Sequence, residues 1–223
     1  MCAEPVSELL PATTPAGYLA RLLLNETPFP GERGYVSEED SCKTFRALIL
    51  VINARIHRVP SGYSRQELTA TLSTEVVDII TAGGQRGQMD GFFRDEKGGL
   101  SMAPRVTKRI TRLLQISNQG ERGRFARLIC YAQSLATSYL DEGNVPKPDP
   151  YAAITYIPPQ PVTGSAYAWM TDQEYYHPGG DFIRIPNQLR GRLGGNRFYT
   201  LRKRAPSLKQ KSGASSPLIS LPK

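Results

Sequence analysis

Helical periodicity ends near Pro146, and this change along the chain constrains the fold more than any other feature. Before that point, capped segments carry apolar residues at helical spacing, whereas after it short β-prone pieces alternate with Pro and Gly turns. The length of 223 residues fits one domain. Helices followed by short strands predict an α+β fold that is mainly helical with a few short C-terminal strands.

Five helices and four strands are predicted from caps, apolar spacing and turn residues. The first helix has Thr14 as its N-cap and Pro15 as its first residue, and it stops before Pro28. The other helices are predicted from the Ser37 cap to about Arg58, from the Ser64 cap to Ala82, from Pro104 to about Ile116 and from Glu121 to Leu140. The strands are predicted at residues 152–157, 166–170, 182–185 and 197–201, and residues 83–99 are predicted as a loop.

Glu26 is an acid within an apolar helical stripe. It lies three residues after Leu23, four after Leu22 and seven after Leu19, so the four side chains share one helix face. Burial disfavours the charged form of a carboxyl and raises its pKa, which is the state that a general acid needs near neutral pH. Two interpretations follow from the pattern: a catalytic acid, or a last-turn glutamate that reaches water.

The net charge of +8 is concentrated near the C-terminus. Ten Lys and Arg and no acid lie from Arg184 to Lys223, so the rest of the chain is close to neutral. A basic segment suits polyanions, which leaves a nucleic-acid-binding module open as an alternative, although no aromatic interleaving or nucleic-acid motif accompanies it. Residues 1–13 are predicted as a flexible arm, residues 14–205 as the folded domain and residues 206–223 as a disordered basic tail.

The cysteines and histidines do not support a metal site, and no cofactor is expected. Cys2, Cys42 and Cys130 have no ligand spacing, and His57 and His177 are the only histidines. Cys42 and Cys130 lie in helical patterns and are predicted to be buried free thiols. No apolar run has the length of a membrane span, and the N-terminus lacks the pattern of a Sec-type signal peptide.

Four segments, in this order, resemble bacterial cell-wall hydrolases of the spore-cortex-lytic type, a family with a lysozyme-like fold. The segments are LLLNE at residues 22–26 followed by PGE at 30–32, LILVINAR at 48–55, DPYAAITY at 149–156, and LGGNRFY at 193–199. Residues 34–43 are longer and more acidic than the family's usual connection, and residues 82–99 match only through Gln88 and the Phe92–Phe93 pair.

The resemblance implies cleavage of the β-1,4 bond between N-acetylmuramic acid and N-acetylglucosamine in peptidoglycan. Glu26 occupies the position of the family's catalytic acid. A hydrolase of the two-carboxylate kind needs a second acid, whereas a lytic transglycosylase uses one glutamate because the substrate's own 6-hydroxyl attacks. Both chemistries stay open. The candidate second carboxylates are Glu32, Glu39, Asp40, Asp90, Asp95, Asp149 and Asp172.

Several side chains are candidate substrate ligands. Asn53 and Gln88 are able to hydrogen-bond N-acetyl or hydroxyl groups, although Asn53 is equally suited to a bond inside the fold. Tyr151, Tyr156, Trp169 and Tyr199 are able to stack on sugar faces, although aromatic residues in strands are more often core. Arg55 is expected to pair with a nearby acid rather than with substrate.

Without a Sec signal, a cell-wall hydrolase needs another export route. We expect a protein made in the cytoplasm and exported by a specialised machine, such as a contractile type VI secretion system, to act as an antibacterial effector in the periplasm of a target cell. The expected partners are peptidoglycan, the secretion machinery and a cognate immunity protein. A non-enzymatic interaction protein that keeps the lysozyme-like shape is a further alternative.

Overall fold

The computed structural model describes residues 8–119, 122–142, 166–170, 179–186 and 190–204. Six α-helices are found in these residues: α1 Pro15–Glu26, α2 Glu38–His57, α3 Arg65–Thr69, α4 Val76–Thr81, α5 Pro104–Gln119 and α6 Arg122–Glu142. Six strands accompany them: β1 Phe92–Arg94, β2 Leu100–Met102, β3 Ala168–Met170, β4 Phe182–Arg184, β5 Arg192–Leu193 and β6 Asn196–Leu201. The α+β class is therefore confirmed.

Helix α1 is the centre of the molecule. Every residue from Gly17 to Leu24 except Arg21 is buried, and the helix packs against α2, α4, α5 and α6. Its start is the predicted one, because the Thr14 hydroxyl accepts the Gly17 N–H at 3.1 Å and Pro15 is the first helical residue. The Tyr18 hydroxyl donates to the Ser101 carbonyl at 2.6 Å and thereby ties α1 to the β1–β2 hairpin.

The structure divides the predicted 64–82 helix into two short helices. The Ser64–Glu67 capping box is present, but α3 ends at Thr69 and Ala70 adopts a left-handed backbone with φ of 57°. The Thr69 hydroxyl lies within hydrogen-bond distance of the Arg65 and Thr71 carbonyls and shares its one proton between them. Such local side-chain bonds compete with helical ones. Leu72, placed by the periodicity on the apolar face, is 73% exposed. The prediction of one continuous helix is therefore wrong.

Strands form two antiparallel sheets. β1 lies inside the segment predicted as a loop and pairs with β2, which directly follows that segment, so the loop prediction is wrong over Phe92–Arg94. In the second sheet, β6 lies between β3 and β4, and β5 pairs with the start of β6. The strands predicted at 166–170, 182–185 and 197–201 are found as β3, β4 and β6. The strand predicted at 152–157 lies outside the described residues.

The two described cysteines differ in state. Cys42 carries a buried thiol, as predicted. Cys130 is disulfide-bonded, so the prediction of a free thiol there is wrong. Among the helices of the described residues, none combines the length and apolar character that crossing a bilayer requires.

Candidate active site at the end of helix α1

The Glu26 carboxyl lies at the last position of α1 and is half-buried. The Asn25 side-chain amide donates to its Oε1 at 2.8 Å, and the Trp169 indole N–H of β3 donates to its Oε2 at 2.9 Å. A carboxylate offers about four lone-pair positions, so two remain for a proton or a sugar oxygen. No Lys or Arg of the described residues forms an ion pair with Glu26.

Two side chains satisfy the backbone carbonyls at the end of α1. The last carbonyls of a helix lack partners within the helix. The Asn196 amide, at the start of β6, donates to the Glu26 carbonyl at 2.7 Å. Arg109 of α5 donates to the Leu24 carbonyl and, at 3.0 Å, to the Thr27 carbonyl. The position of Glu26 is thus fixed by elements from distant parts of the chain.

The turn between β5 and β6 brings Asn196 to α1. Gly194 and Gly195 have φ of 52° and 68°, the positive values of a type I′ turn. A Cβ on Gly194 would collide with the Thr44 hydroxyl of α2. Gly34 packs on the other side, where an added Cβ would lie 2.7 Å from the Gly195 Cα. Only glycine allows this close approach.

Arg55 lies behind Trp169. Its guanidinium carbon is 5.9 Å from the centre of the indole ring, within the range of a cation–π contact. The Arg55 Nε donates to the Tyr167 carbonyl at 2.7 Å. The side chain is buried, and burial lowers its pKa to about 10. No acid of the described residues pairs with Arg55, so the predicted ion pair is wrong in this part of the chain.

Four of the five described candidates for a second carboxylate contact other groups. Glu32 forms an ion pair with Arg109 at 2.5 Å and accepts the Phe29 N–H at 2.8 Å. The remaining candidates are on α2 or near the β1–β2 hairpin: Glu39 pairs with Lys43, Asp40 lies in the first turn of α2, Asp90 pairs with Arg105, and Asp95 accepts the N–H groups of Lys97 and Gly99. Asp149 and Asp172 lie outside the described residues.

The candidate substrate ligands are dispersed. Asn53 is half-buried on α2, and its Oδ1 accepts a long 3.4 Å bond from the Tyr139 hydroxyl. Gln88 is exposed in the turn before β1, and no hydrogen bond in the described residues joins it to Glu26. Tyr199 is fully buried in β6. Tyr151 and Tyr156 lie outside the described residues.

Three residues at the site carry roles that the sequence analysis did not assign: Asn25, Arg109 and Asn196. Asn196 had the clearest signal, since it directly follows a Gly-Gly pair, which often forms the turn of a hairpin. No sequence signal indicated the role of Arg109, because its hydrogen-bond partners lie 77 to 85 residues away in the chain. The structure does bring Trp169 to Glu26, although as a hydrogen-bond donor rather than as a stacking platform.

Comparison with known proteins gives no relative: no family model, curated protein or solved structure matches the chain. In the described residues, no three His, Cys, Asp or Glu side chains cluster in a way that would hold a metal ion.

Proposed function

We propose that this protein cleaves the glycan strands of peptidoglycan between N-acetylmuramic acid and N-acetylglucosamine, with Glu26 as the general acid of a lysozyme-like domain. The observation that carries the proposal is the environment of the Glu26 carboxyl. The residue is half-buried, and a neutral N–H donor orients each of the two carboxyl oxygens. Within the described residues, Glu26 forms no ion pair. A general acid needs this combination of a fixed position and lone pairs left for the proton and the leaving oxygen.

The competing explanation is a structural role for Glu26. The indole N–H of the half-buried Trp169 needs an acceptor, and Glu26 supplies one. The two roles differ in what Glu26→Gln does. A glutamine keeps a side-chain oxygen for the Trp169 N–H, whereas it has no acidic proton to donate. A structural role therefore predicts an active variant, and a catalytic role predicts an inactive, folded one.

The test is clearance of purified sacculi by wild type, Glu26→Gln and the control Glu75→Gln. Glu75 is exposed and makes no side-chain cap bond at α4. We expect Glu26→Gln to lose at least 100-fold in rate, in the range of a missing general acid. We expect Glu75→Gln to match wild type and both variants to keep the wild-type unfolding midpoint. Clearance by Glu26→Gln at the wild-type rate would contradict the proposal.

The products distinguish the two possible acceptors. Glu32, Glu39, Asp90 and Asp95 contact other groups, whereas no side-chain hydrogen bond or ion pair of Asp40 is found in the described residues. Two routes therefore stay open: attack by water with a second acid, or the one-acid route through the sugar 6-hydroxyl. That route leaves 1,6-anhydro ends on the muramic acid, whereas water leaves reducing ends. Mass analysis of the digested muropeptides therefore assigns the chemistry. Unchanged muropeptides would exclude both.

We further propose that the protein acts as an antibacterial effector in a target periplasm, where its substrate lies. Expression in a bacterial host with and without an added periplasmic signal tests this proposal. We expect lysis only with the signal and only with Glu26 intact. Equal toxicity in the cytoplasm would contradict it. Survival of the host on co-expression of an immunity protein from the producer would identify that partner.

A further inference from the structure

Arg197 in β6 is a buried arginine with an unmet hydrogen-bonding requirement. The residue is 4% exposed, and its Nε has no hydrogen-bond partner among the described residues. A guanidinium has five N–H donors, and burying such donors without acceptors costs free energy. The position is therefore suited to an acceptor that the chain itself does not supply in its described part.

The neighbours of Arg197 are also cationic. Arg192 lies directly opposite it across the β5–β6 pair. Arg184 of β4 opposes Tyr199, which lies two residues further along β6 and on the same face as Arg197. Burial and, after it, the charges of Arg192, Arg184 and Arg190 lower the pKa of Arg197. Like charges that face each other across strands destabilise a sheet unless an anion lies between them.

Acids are absent from this part of the sequence. No Asp or Glu follows Asp181, and the Asp181 carboxylate pairs with Arg204 at 2.5 Å. Within the described residues, no carboxylate forms an ion pair with Arg190, Arg192 or Arg197. The described residues therefore contain no carboxylate that balances these charges.

We propose that Arg190, Arg192 and Arg197 form a carboxylate-binding site for the acidic peptide stem that N-acetylmuramic acid carries in peptidoglycan. This inference rests on the proposed function. The amino sugars of the strand are uncharged, and its carboxylates lie on the stem. A planar guanidinium pairs with a carboxylate through two parallel N–H bonds, which favours a carboxylate over a neutral group.

The site is close enough to Glu26 for one substrate to reach both. Asn196 contacts the Glu26 backbone, and Arg197 follows it directly, about 3.8 Å further along the chain. The Asn196 and Arg197 side chains leave opposite faces of β6, so the stem has to pass the edge of the β5–β6 hairpin. An extended stem of about four residues spans roughly 13 Å, which is sufficient for that passage.

The first experiment compares cleavage of intact glycan strands with cleavage of strands whose stem carboxylates have been converted to amides. Removal of the stems by an amidase would instead leave a lactyl carboxylate on each muramic acid. Arg192→Gln is the variant, because Arg192 is exposed and its replacement leaves the buried Arg197 in place. Arg86→Gln, an exposed arginine in the 3₁₀ turn at Gly84–Arg86, is the matched control. We expect the preference for strands with free stem carboxylates to fall about tenfold in Arg192→Gln, the equivalent of one charge-assisted hydrogen bond. The same preference should stay at the wild-type value in Arg86→Gln.

The second experiment titrates the free stem peptide into the full-length protein and does not depend on cleavage. We expect binding that Arg192→Gln weakens about tenfold and that rising salt weakens further. Equal cleavage of intact and amidated strands, together with no peptide binding, would overturn the inference and leave the proposed function standing. Cleavage of neither strand would overturn the proposed function, and the peptide titration would still decide the site. Tighter binding of inorganic phosphate than of the peptide would also overturn the inference.

Discussion

At the scale of single residues, Asn196 links the sheet to the candidate catalytic helix. It is 3% exposed, and its amide is the described partner of the Glu26 carbonyl. We expect Asn196→Ala to lower the free energy of unfolding by about 1–2 kcal/mol, because the half-buried Glu26 carbonyl loses its hydrogen-bond donor. Urea unfolding measures this loss, and sacculus clearance measures whether Glu26 is still in position.

The variant Asn196→Asp sharpens that prediction. Aspartate has nearly the same size but offers no N–H donor, and it adds a negative charge at a helix C-terminus, where the helix dipole disfavours anions. We therefore expect Asn196→Asp to be less stable than Asn196→Ala. An Asn196→Asp protein as stable as wild type would contradict the capping role.

Sequence reasoning at this scale identified Glu26 but not its surroundings. Glu26 stands out because the leucines before it occupy the same helix face, which is local information. Its partners Trp169 and Asn196 are 143 and 170 residues away, and no spacing rule connects them. Glu32, one of the candidates for a second carboxylate in the sequence, is paired with Arg109 in the structure.

At the scale of elements, two glycines in the β5–β6 turn position the site. Gly194 packs on Thr44, and Gly195 packs on Gly34. Gly194→Ala would place a methyl group against the Thr44 hydroxyl, whereas Gly31, with a φ of 83°, has open space around its Cα. Alanine at either position adopts a strained left-handed backbone, at a cost of about 1–2 kcal/mol. Only Gly194→Ala adds a collision.

We expect Gly194→Ala to lose stability by at least about 1 kcal/mol more than Gly31→Ala, since overpacking adds to the backbone strain. We also expect a loss of sacculus clearance, because the displaced turn carries Asn196 away from α1. Thermal unfolding and clearance of both variants check this prediction. Equal losses of stability in the two variants would show that the close contact with Thr44 does not affect the free energy of unfolding.

The helices were more predictable than their interruptions. Helices α1, α2, α5 and α6 follow from caps and long apolar periodicity, which are local and cooperative signals. The break after Thr69 depends on hydroxyl–carbonyl bonds that outweigh the weak apolar pattern. The periodicity placed Leu72 on the apolar face of a continuous helix, whereas Leu72 is exposed. The β1–β2 hairpin was missed because its strands have three residues each.

At the scale of the whole molecule, buried tyrosines make the stability of the fold sensitive to alkaline pH. Burial raises the pKa of Tyr18 to about 12, and burial does the same to Tyr139. In the unfolded chain these phenols ionise near pH 10. Between about pH 10 and 12 these two phenols therefore bind fewer protons in the unfolded state than in the folded state, and their contribution to the free energy of unfolding falls as the pH rises. Arg55, whose pKa burial lowers to about 10, contributes with the opposite sign over the same range.

We expect full stability from both tyrosines below about pH 10 and a fall between pH 10 and 12 of about 1.4 kcal/mol per pH unit for each of them. Urea unfolding at pH 8, 10 and 11 measures the slope. Tyr18→Phe removes one titrating group. The dependence of the unfolding free energy on pH should therefore become shallower by the contribution of Tyr18. The substitution should also lower the stability at pH 8, because the hydroxyl bond from α1 to the Ser101 carbonyl is lost. An unchanged slope in Tyr18→Phe would mean that the alkaline sensitivity of the fold arises elsewhere, and the matching Tyr139→Phe variant would show whether the second phenol carries it.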